Sequence, residues 1–298
     1  MGLGLLVDEQ ELRKFVEWLP DIQWNEAYTV MILIRSKLLK KKYGFKGTDH
    51  TLKLEIVPGY LVRWRERLVK KIKQFALLGY HSEELYEYVR YKPGTREPEE
   101  IINIPHQLIG IMIGINPADW VKVSVKAVEE FNMSLLQAMY NPEQADKLVR
   151  RIDLRIPALC MKYAKRRFHM IDLDTKNSKV VSDFESRLKE VLGYRPAKIE
   201  TPHGYHYIIP VYKFDKETAI KWFGKITRVK DTKPYEFISK PGFLDQLPLL
   251  KQYYAYDLGI LGDDEAVDKL IEYKSDFQEP APGTLYQGDF IVRFYREQ

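Results

Sequence analysis

Three side chains spaced for chemistry stand out. Asp172 and Asp174 end the apolar run Phe168-His169-Met170-Ile171-Asp172-Leu173-Asp174, and His206 lies in Thr201-Pro202-His203-Gly204-Tyr205-His206-Tyr207 about thirty residues later. On a β-strand, with its period of two, Asp172 and Asp174 project from one face. Two such carboxylates are a natural ligand set for Mg²⁺ or Mn²⁺, which prefer oxygen donors and neutralise phosphate charge. His206, on a strand returning from a Pro/Gly turn, would stand beside them.

The elements that must position these groups follow in order. Arg167 to Leu173 reads as a strand. Ser182-Asp183-Phe184-Glu185 reads as a capping box opening a helix lined by Phe184, Leu188, Val191 and Leu192, which Gly193 ends. Ala197 to Thr201 and Tyr205 to Tyr212 read as two strands around Pro202-His203-Gly204. Asp215 caps a short helix through Phe223 that Gly224 stops, and Lys225 to Asp231 is a strand. The order β-α-β-β-α-β predicts a split βαβ sheet with helices on one face, an α+β fold, with the strand at Leu108–Ile115 joining its edge. Asp231, ending the last strand, is the candidate third carboxylate, with Asp257 in reserve. Arg166, Arg167, Lys176, Lys225, Arg228 and Lys230 surround this region, and most such cations are simply solvated.

Residues 1–80 read as a mainly helical, basic region and 81–298 as the α+β domain. Asp8–Leu19 carries the apolar spacing of a helix that Pro20 stops, Tyr28–Leu39 is a second apolar segment of this mainly helical region, and Tyr60–Leu78 is a third, a helix that Gly79 closes. The third sets Leu61, Trp64, Leu68, Ile72, Phe75 and Leu78 against Arg63, Arg65, Arg67, Lys70, Lys71 and Lys73. Cations interleaved with aromatics suit a nucleic-acid surface, and equally the solvated face of a packed helix. Lys92–Pro98 reads as a loop, Asp119–Met139 as a helix, and Pro142 as the restart of another.

Composition bounds the rest. Across 298 residues, 45% hydrophobic and 30% charged, a sizeable core is possible, and an excess of 47 Lys and Arg over 42 Asp and Glu is too small to demand an anionic partner. The single cysteine, Cys160, rules out an internal disulfide or a cysteine-cage zinc site and points to a reducing, cytoplasmic compartment. No apolar run approaches the ~18 residues of a membrane span. The first residues carry neither the basic start of a signal peptide nor a myristoylation signal.

The motifs together resemble the archaeo-eukaryotic primase superfamily, and within it the primase-polymerases of plasmids and viruses. Met170-Ile171-Asp172-Leu173-Asp174 matches the apolar strand ending in Asp-x-Asp, Thr201-Pro202-His203-Gly204-Tyr205-His206 the turn-and-histidine motif, and Val229-Lys230-Asp231 best fits the apolar-Asp third motif, although Lys230 interrupts it. The likeness covers residues 166–231. It implies an RRM-like palm and a metal-dependent nucleotidyltransferase that makes primers or extends DNA from nucleoside triphosphates on a single-stranded template, working with a separately encoded helicase. Asp172, Asp174 and Asp231 would hold Mg²⁺ or Mn²⁺. His206, with Thr201 and Gly204 of its turn, would meet the triphosphate, and Lys176 and Arg228 are the cations suited to its phosphates.

Two other readings stay open. A rolling-circle nickase would use a histidine pair and a tyrosine nucleophile, Tyr253 or Tyr254, but His203 and His206 are three apart where strand ligands sharing a face are two apart. A replication protein that binds nucleic acid without catalysis would place its function on the N-terminal cations.

Overall fold

A computed structural model of the chain describes residues 6–34, 50–81, 87–91, 98–103, 109–144, 152–214, 247–260, 264–274, 278–287 and 290–297. The chain is mixed α+β and divides into two compact units, residues 1–165 with 277–292, and residues 166–276 with 293–298. The first unit thus runs well past residue 80, and among its described residues helices stand beside an antiparallel sheet.

In the first unit, strands β1 (Glu26–Ile34), β2 (His50–Pro58), β5 (Ile109–Gly114) and β11 (Gln278–Pro280) form an antiparallel sheet in the order β11-β5-β1-β2, and β6 (Ala118–Asp119) extends it along β1. Tyr28–Leu39, expected to be helical, instead begins with a central strand buried from Glu26 to Leu33 on both faces. A strand covered on both sides reads as an unbroken apolar run, which hides its period. The Leu108–Ile115 segment does contain a strand, but as β5 beside β1 and not on the edge of the second sheet. Strands β3 (Glu87–Tyr91) and β4 (Pro98–Asn103) form a separate hairpin pair, and β12 (Leu285–Tyr286) pairs with β13 (Phe290–Ile291).

Helices α1 (Glu9–Trp18) and α2 (Trp64–His81) pack together, and the Trp64 ring lies 5.1 Å from that of Tyr28 on β1. Asp8 caps α1, its carboxylate accepting from Glu11 N at 3.0 Å. Helix α3 (Trp120–Tyr140) is capped by Asp119 and packs on α4 (Ile152–Lys162) around Ala118, Val123, Leu159 and Cys160. Pro142 starts only a 3-10 turn, Pro142–Gln144.

In the second unit the sheet order is β10-β7-β9-β8-β14, every pair antiparallel: β7 (Phe168–Leu173), β8 (Ala197–Glu200), β9 (Tyr205–Pro210), β10 (Ile271–Lys274) and β14 (Arg293–Tyr295). Helix α5 (Ser178–Leu192) joins β7 to β8, while α6 (Leu247–Asp257) and α7 (Asp264–Leu270) precede β10. The first four strands therefore stand in the order fourth, first, third, second, a βαβ unit split by an inserted antiparallel strand. Among the described residues the fourth strand of this sheet is Ile271–Lys274; the expected short helix from Asp215 and strand Lys225–Asp231 lie outside them.

One face of this sheet is covered by α5 and α6. Ile171, Leu173, Tyr207, Ile209 and Ile271 meet Val180, Phe184 and Leu188 of α5 and Leu250 and Tyr254 of α6. Each such aromatic or aliphatic side chain contributes about 1.5–3 kcal/mol on burial. Helix α5 starts a turn earlier than the capping box suggested. Asn177 is the cap, its side chain accepting from Lys179 N and Val180 N, and Ser182 lies inside the helix. Gly193 closes it at φ 79°, a backbone region glycine enters without strain.

On the same face, buried His169 bonds through Nδ1 to the Tyr273 hydroxyl and stacks on its ring at 5.5 Å. Burial, helped by the Arg166 charge, pulls its pKa from 6.5 to about 4. The unfolded chain takes up this proton near pH 6.5 and the folded chain only near 4, so stability is complete above that window and falls as pH drops through it. We expect a loss on the order of 2–3 kcal/mol from this group between pH 6.5 and 4. Urea melts of His169→Gln, which can still accept from Tyr273, should show a flatter pH dependence.

Candidate functional site

The face opposite the helices carries the polar constellation. Register pairs Asp172 of β7 with His206 of β9 on one side and with Glu272 of the edge strand β10 on the other, so all three project from one face of the sheet. Asp172 is only 6% exposed. Its Oδ2 accepts from Lys274 Nζ at 2.6 Å, and the same ammonium stands 3.2 Å from Glu272 Oε2. His206 Nε2 lies 3.4 Å from Asp172 Oδ1 without the alignment of a hydrogen bond, so that buried oxygen has no hydrogen-bond partner among the described residues. Burial opposes the Lys274 charge, but Asp172 and then Glu272 outweigh it and push its pKa up to about 12.

Gly204 explains why the turn brings His206 to this place. A Cβ on Gly204 would stand 1.8 Å from the carbonyl oxygen of Leu173 and 2.8 Å from Thr175 N, so the turn seats directly on the end of β7. Buried Thr201 locks it, its backbone N donating to Gly204 O at 2.9 Å and its Oγ1 accepting from Gly204 N at 3.3 Å. Thr201 and Gly204 thus build the turn that aligns β9 with β7.

The other expected residues are distributed differently. Strand β7 stops at Leu173, so Asp174 leaves the ladder; it is exposed, and its backbone N donates to Leu270 O at 2.9 Å. Lys176 pairs with Glu200 at 3.0 Å. Burial raises the Glu200 pKa, but hydrogen bonds from Tyr295 and Lys176 outweigh it and hold the carboxyl below its usual range. Asp257, at the end of α6, is paired with Lys179 Nζ at 3.1 Å, on a helix that covers the face Asp172 does not use. Asp231 and Arg228 lie outside the described residues. Tyr254 is a core residue, its hydroxyl donating to Asp183 Oδ2 at 2.6 Å, and burial together with that contact drives its pKa upward; His203 is exposed in the turn. A cleft of about 220 Å³ between Glu185, Arg195, Lys198, Tyr207, Tyr295 and Arg296 holds none of the expected site residues.

No family model matches the chain, and neither a curated protein nor a solved structure does. Its chemistry has to be read from its own residues. Two of them, Glu272 and Lys274, had no place in the sequence reading. Ile271-Glu272-Tyr273-Lys274 alternates apolar and charged residues as a strand does, which was the available signal.

Among the described residues no group of three or more His, Cys, Asp and Glu side chains is gathered as a metal-binding cluster. The donor chemistry around Asp172 nonetheless fits a divalent cation. Two carboxylates of adjacent strands converge on one cationic group, the Lys274 ammonium, and the orphaned Oδ1 of Asp172 is a buried oxygen suited to a hard ion.

The basic helix α2 is partly committed to the fold. Arg65 stacks on Trp64 at 4.3 Å, donates to Leu19 O at 2.7 Å and pairs with Asp21; Lys71 pairs with Glu55 at 3.3 Å and Lys73 with Glu9 at 2.5 Å. Arg63, Arg67 and Lys70 are exposed. If α2 meets nucleic acid, Arg67→Glu with Lys70→Glu should weaken single-stranded DNA binding and lower its salt slope by about two, whereas Arg65→Ala should mainly cost about 1 kcal/mol of stability. Fluorescence anisotropy over a salt series checks the first and thermal melts the second. Among the described residues no helix is long and apolar enough to cross a membrane.

Proposed function

We propose that the chain is a metal-dependent nucleotidyltransferase of the primase-polymerase type, its second unit serving as an RRM-like palm. The observation that carries this reading is the direct register of Asp172 with His206 on β9 and with Glu272 on β10, on the face of the split βαβ sheet opposite α5 and α6. Asp172 and Glu272, with Asp174 just past the strand end, would hold Mg²⁺ or Mn²⁺, and Glu272 takes the third-carboxylate role first assigned to Asp231. A bound ion of that kind supplies charge neutralisation for a triphosphate and for the hydroxyl that attacks it. His206 is fixed beside Asp172 by the Gly204 turn, where it can donate to a phosphate oxygen. Lys274 bridges the two carboxylates, and with an ion held between them its ammonium would be available to a phosphate.

The test is a primer-synthesis and extension assay on the intact chain with single-stranded DNA template, labelled ribo- or deoxynucleoside triphosphates, and Mn²⁺ or Mg²⁺. A metal-dependent product ladder is the expected result. A second reading, binding without catalysis, is favoured by one observation: Lys274 already satisfies Asp172 Oδ2 as a structural ion pair. DNA binding with no product, and no Mn²⁺ or triphosphate binding by calorimetry, would sink the enzyme and establish that second reading. Covalent attachment of cleaved DNA to a tyrosine would instead revive the nickase.

A further inference from the structure

Helix α3 has two faces, and its own unit uses one of them. Val123, Ala127, Glu130 and Ser134 turn inward: Val123 joins the cluster with Leu159 and Cys160, and Arg155 of α4 reaches Ser134 Oγ at 3.1 Å and Glu130 at 3.5 Å. On the opposite side Val121, Val125, Val128, Asn132, Leu135 and Met139 are exposed, the apolar ones by 39–76%. Their steps of four, three, four, three and four residues are the d-a-d-a-d-a stripe of a coiled coil, with one asparagine at an a position. An α-helix drifts only ~20° per heptad from such a repeat, so the stripe stays continuous over the ~30 Å of α3.

We propose that this stripe is a parallel dimer seam and that its occupant is α3 of a second copy of this chain. The stripe is self-complementary. A single a-position asparagine is unmatched against an apolar surface and matched against the same residue of an identical helix, where it sets register at some cost in stability. In that parallel register Phe131, at g, meets Leu136 of the second copy, at e, and both are exposed and apolar. Serine, not a like charge, faces Glu129: Ser124 precedes it by the same five residues.

The area agrees. Seven large apolar residues of α3 on or beside the seam, each exposed by about two-fifths or more, make a patch at the upper end of the ~300–600 Å² of a typical monomer's largest, approaching the ~800 Å² per partner of a standard interface. The helix is already formed and held by its inner face, so association does not bear the cost of ordering it.

Sedimentation of the intact chain over a concentration series should show a dimer, and Val128→Lys with Leu135→Lys, both outward-facing, should weaken it by ~100-fold or more. Asn132→Cys should close a disulfide-linked dimer under mild oxidation, while Gln137→Cys, also exposed but off the seam, should not. Native Cys160 is buried and gives no background. Asn132→Val should tighten association and admit higher oligomers. A monomer up to about 100 μM overturns the proposal. A dimer indifferent to the lysine pair, or one in which Asn132→Cys fails to link, overturns it as well.

Discussion

Asp172→Asn should abolish nucleotidyl transfer while leaving a folded protein. If the carboxylate holds a catalytic ion, its loss removes several kcal/mol of charge stabilisation, and at ~1.4 kcal/mol per tenfold the rate should fall by at least about a thousandfold. The substitution has a structural cost too, because Lys274 loses its closest anion. Lys274 is a third exposed and keeps Glu272 at 3.2 Å, so that cost should be only about 1–3 kcal/mol, well short of a fully buried broken pair. Single-turnover extension kinetics paired with urea melts separate the two effects. Glu272→Gln should follow the same kinetic pattern, and an active Glu272→Gln enzyme would remove Glu272 from the metal set. Equal activity in Asp172→Asn and wild type would end the catalytic reading of this face.

Gly204→Ala should be the most destabilising single-methyl change near the site. The added carbon meets the Leu173 carbonyl at 1.8 Å and Thr175 N at 2.8 Å, both backbone atoms of the strand end that carries Asp172. Neither can move aside as a flexible side chain would. The turn must therefore lift from β7, and a loss of about 3–4 kcal/mol is expected, at the upper end of single-residue effects. Chemical denaturation measures it. A cost below about 1 kcal/mol would mean that the turn does not seat as described, and His206 would then lose its fixed place beside Asp172.

Much of the second unit was legible in the sequence because its elements carry their own punctuation. The Pro202-His203-Gly204 turn, the αL glycine at 193 and the apolar run before Asp172 are local signals, and β7, the end of α5, β8 and β9 lie where those signals put them. The partner across β7 was not legible. Sequence proximity suggested the strand ending at Asp231, but neighbours in a sheet are set by topology, and β10, about forty residues further on, supplies Glu272. The first unit failed for another reason. Tyr28–Ile34 is apolar at every position but Thr29, and an unbroken apolar run does not distinguish a strand buried on both faces from a buried helix; its β-branched residues Thr29, Val30, Ile32 and Ile34 were the better guide. In β2 Leu52, Leu54 and Ile56 alternate with Thr51, Lys53 and Glu55, the period of a strand. In α2 the periodicity placed the helix but could not tell Arg65, tied to Leu19, from Arg67 in solvent.

The path of residues 271–295 bears on how the molecule is made. The chain leaves the second unit after β10, returns to lay β11 against β5 in the first, then lays β14 against β8 in the second. Both sheets thus take an edge strand from residues 278–295. During synthesis at ~5–20 residues per second, domains ordinarily fold one after the other as they emerge. Here neither sheet can be completed on the ribosome until residues 278–295 have been made. β5 and β8 wait with open backbone edges in the meantime, a window in which a nascent chain is most exposed to mispairing with its neighbours.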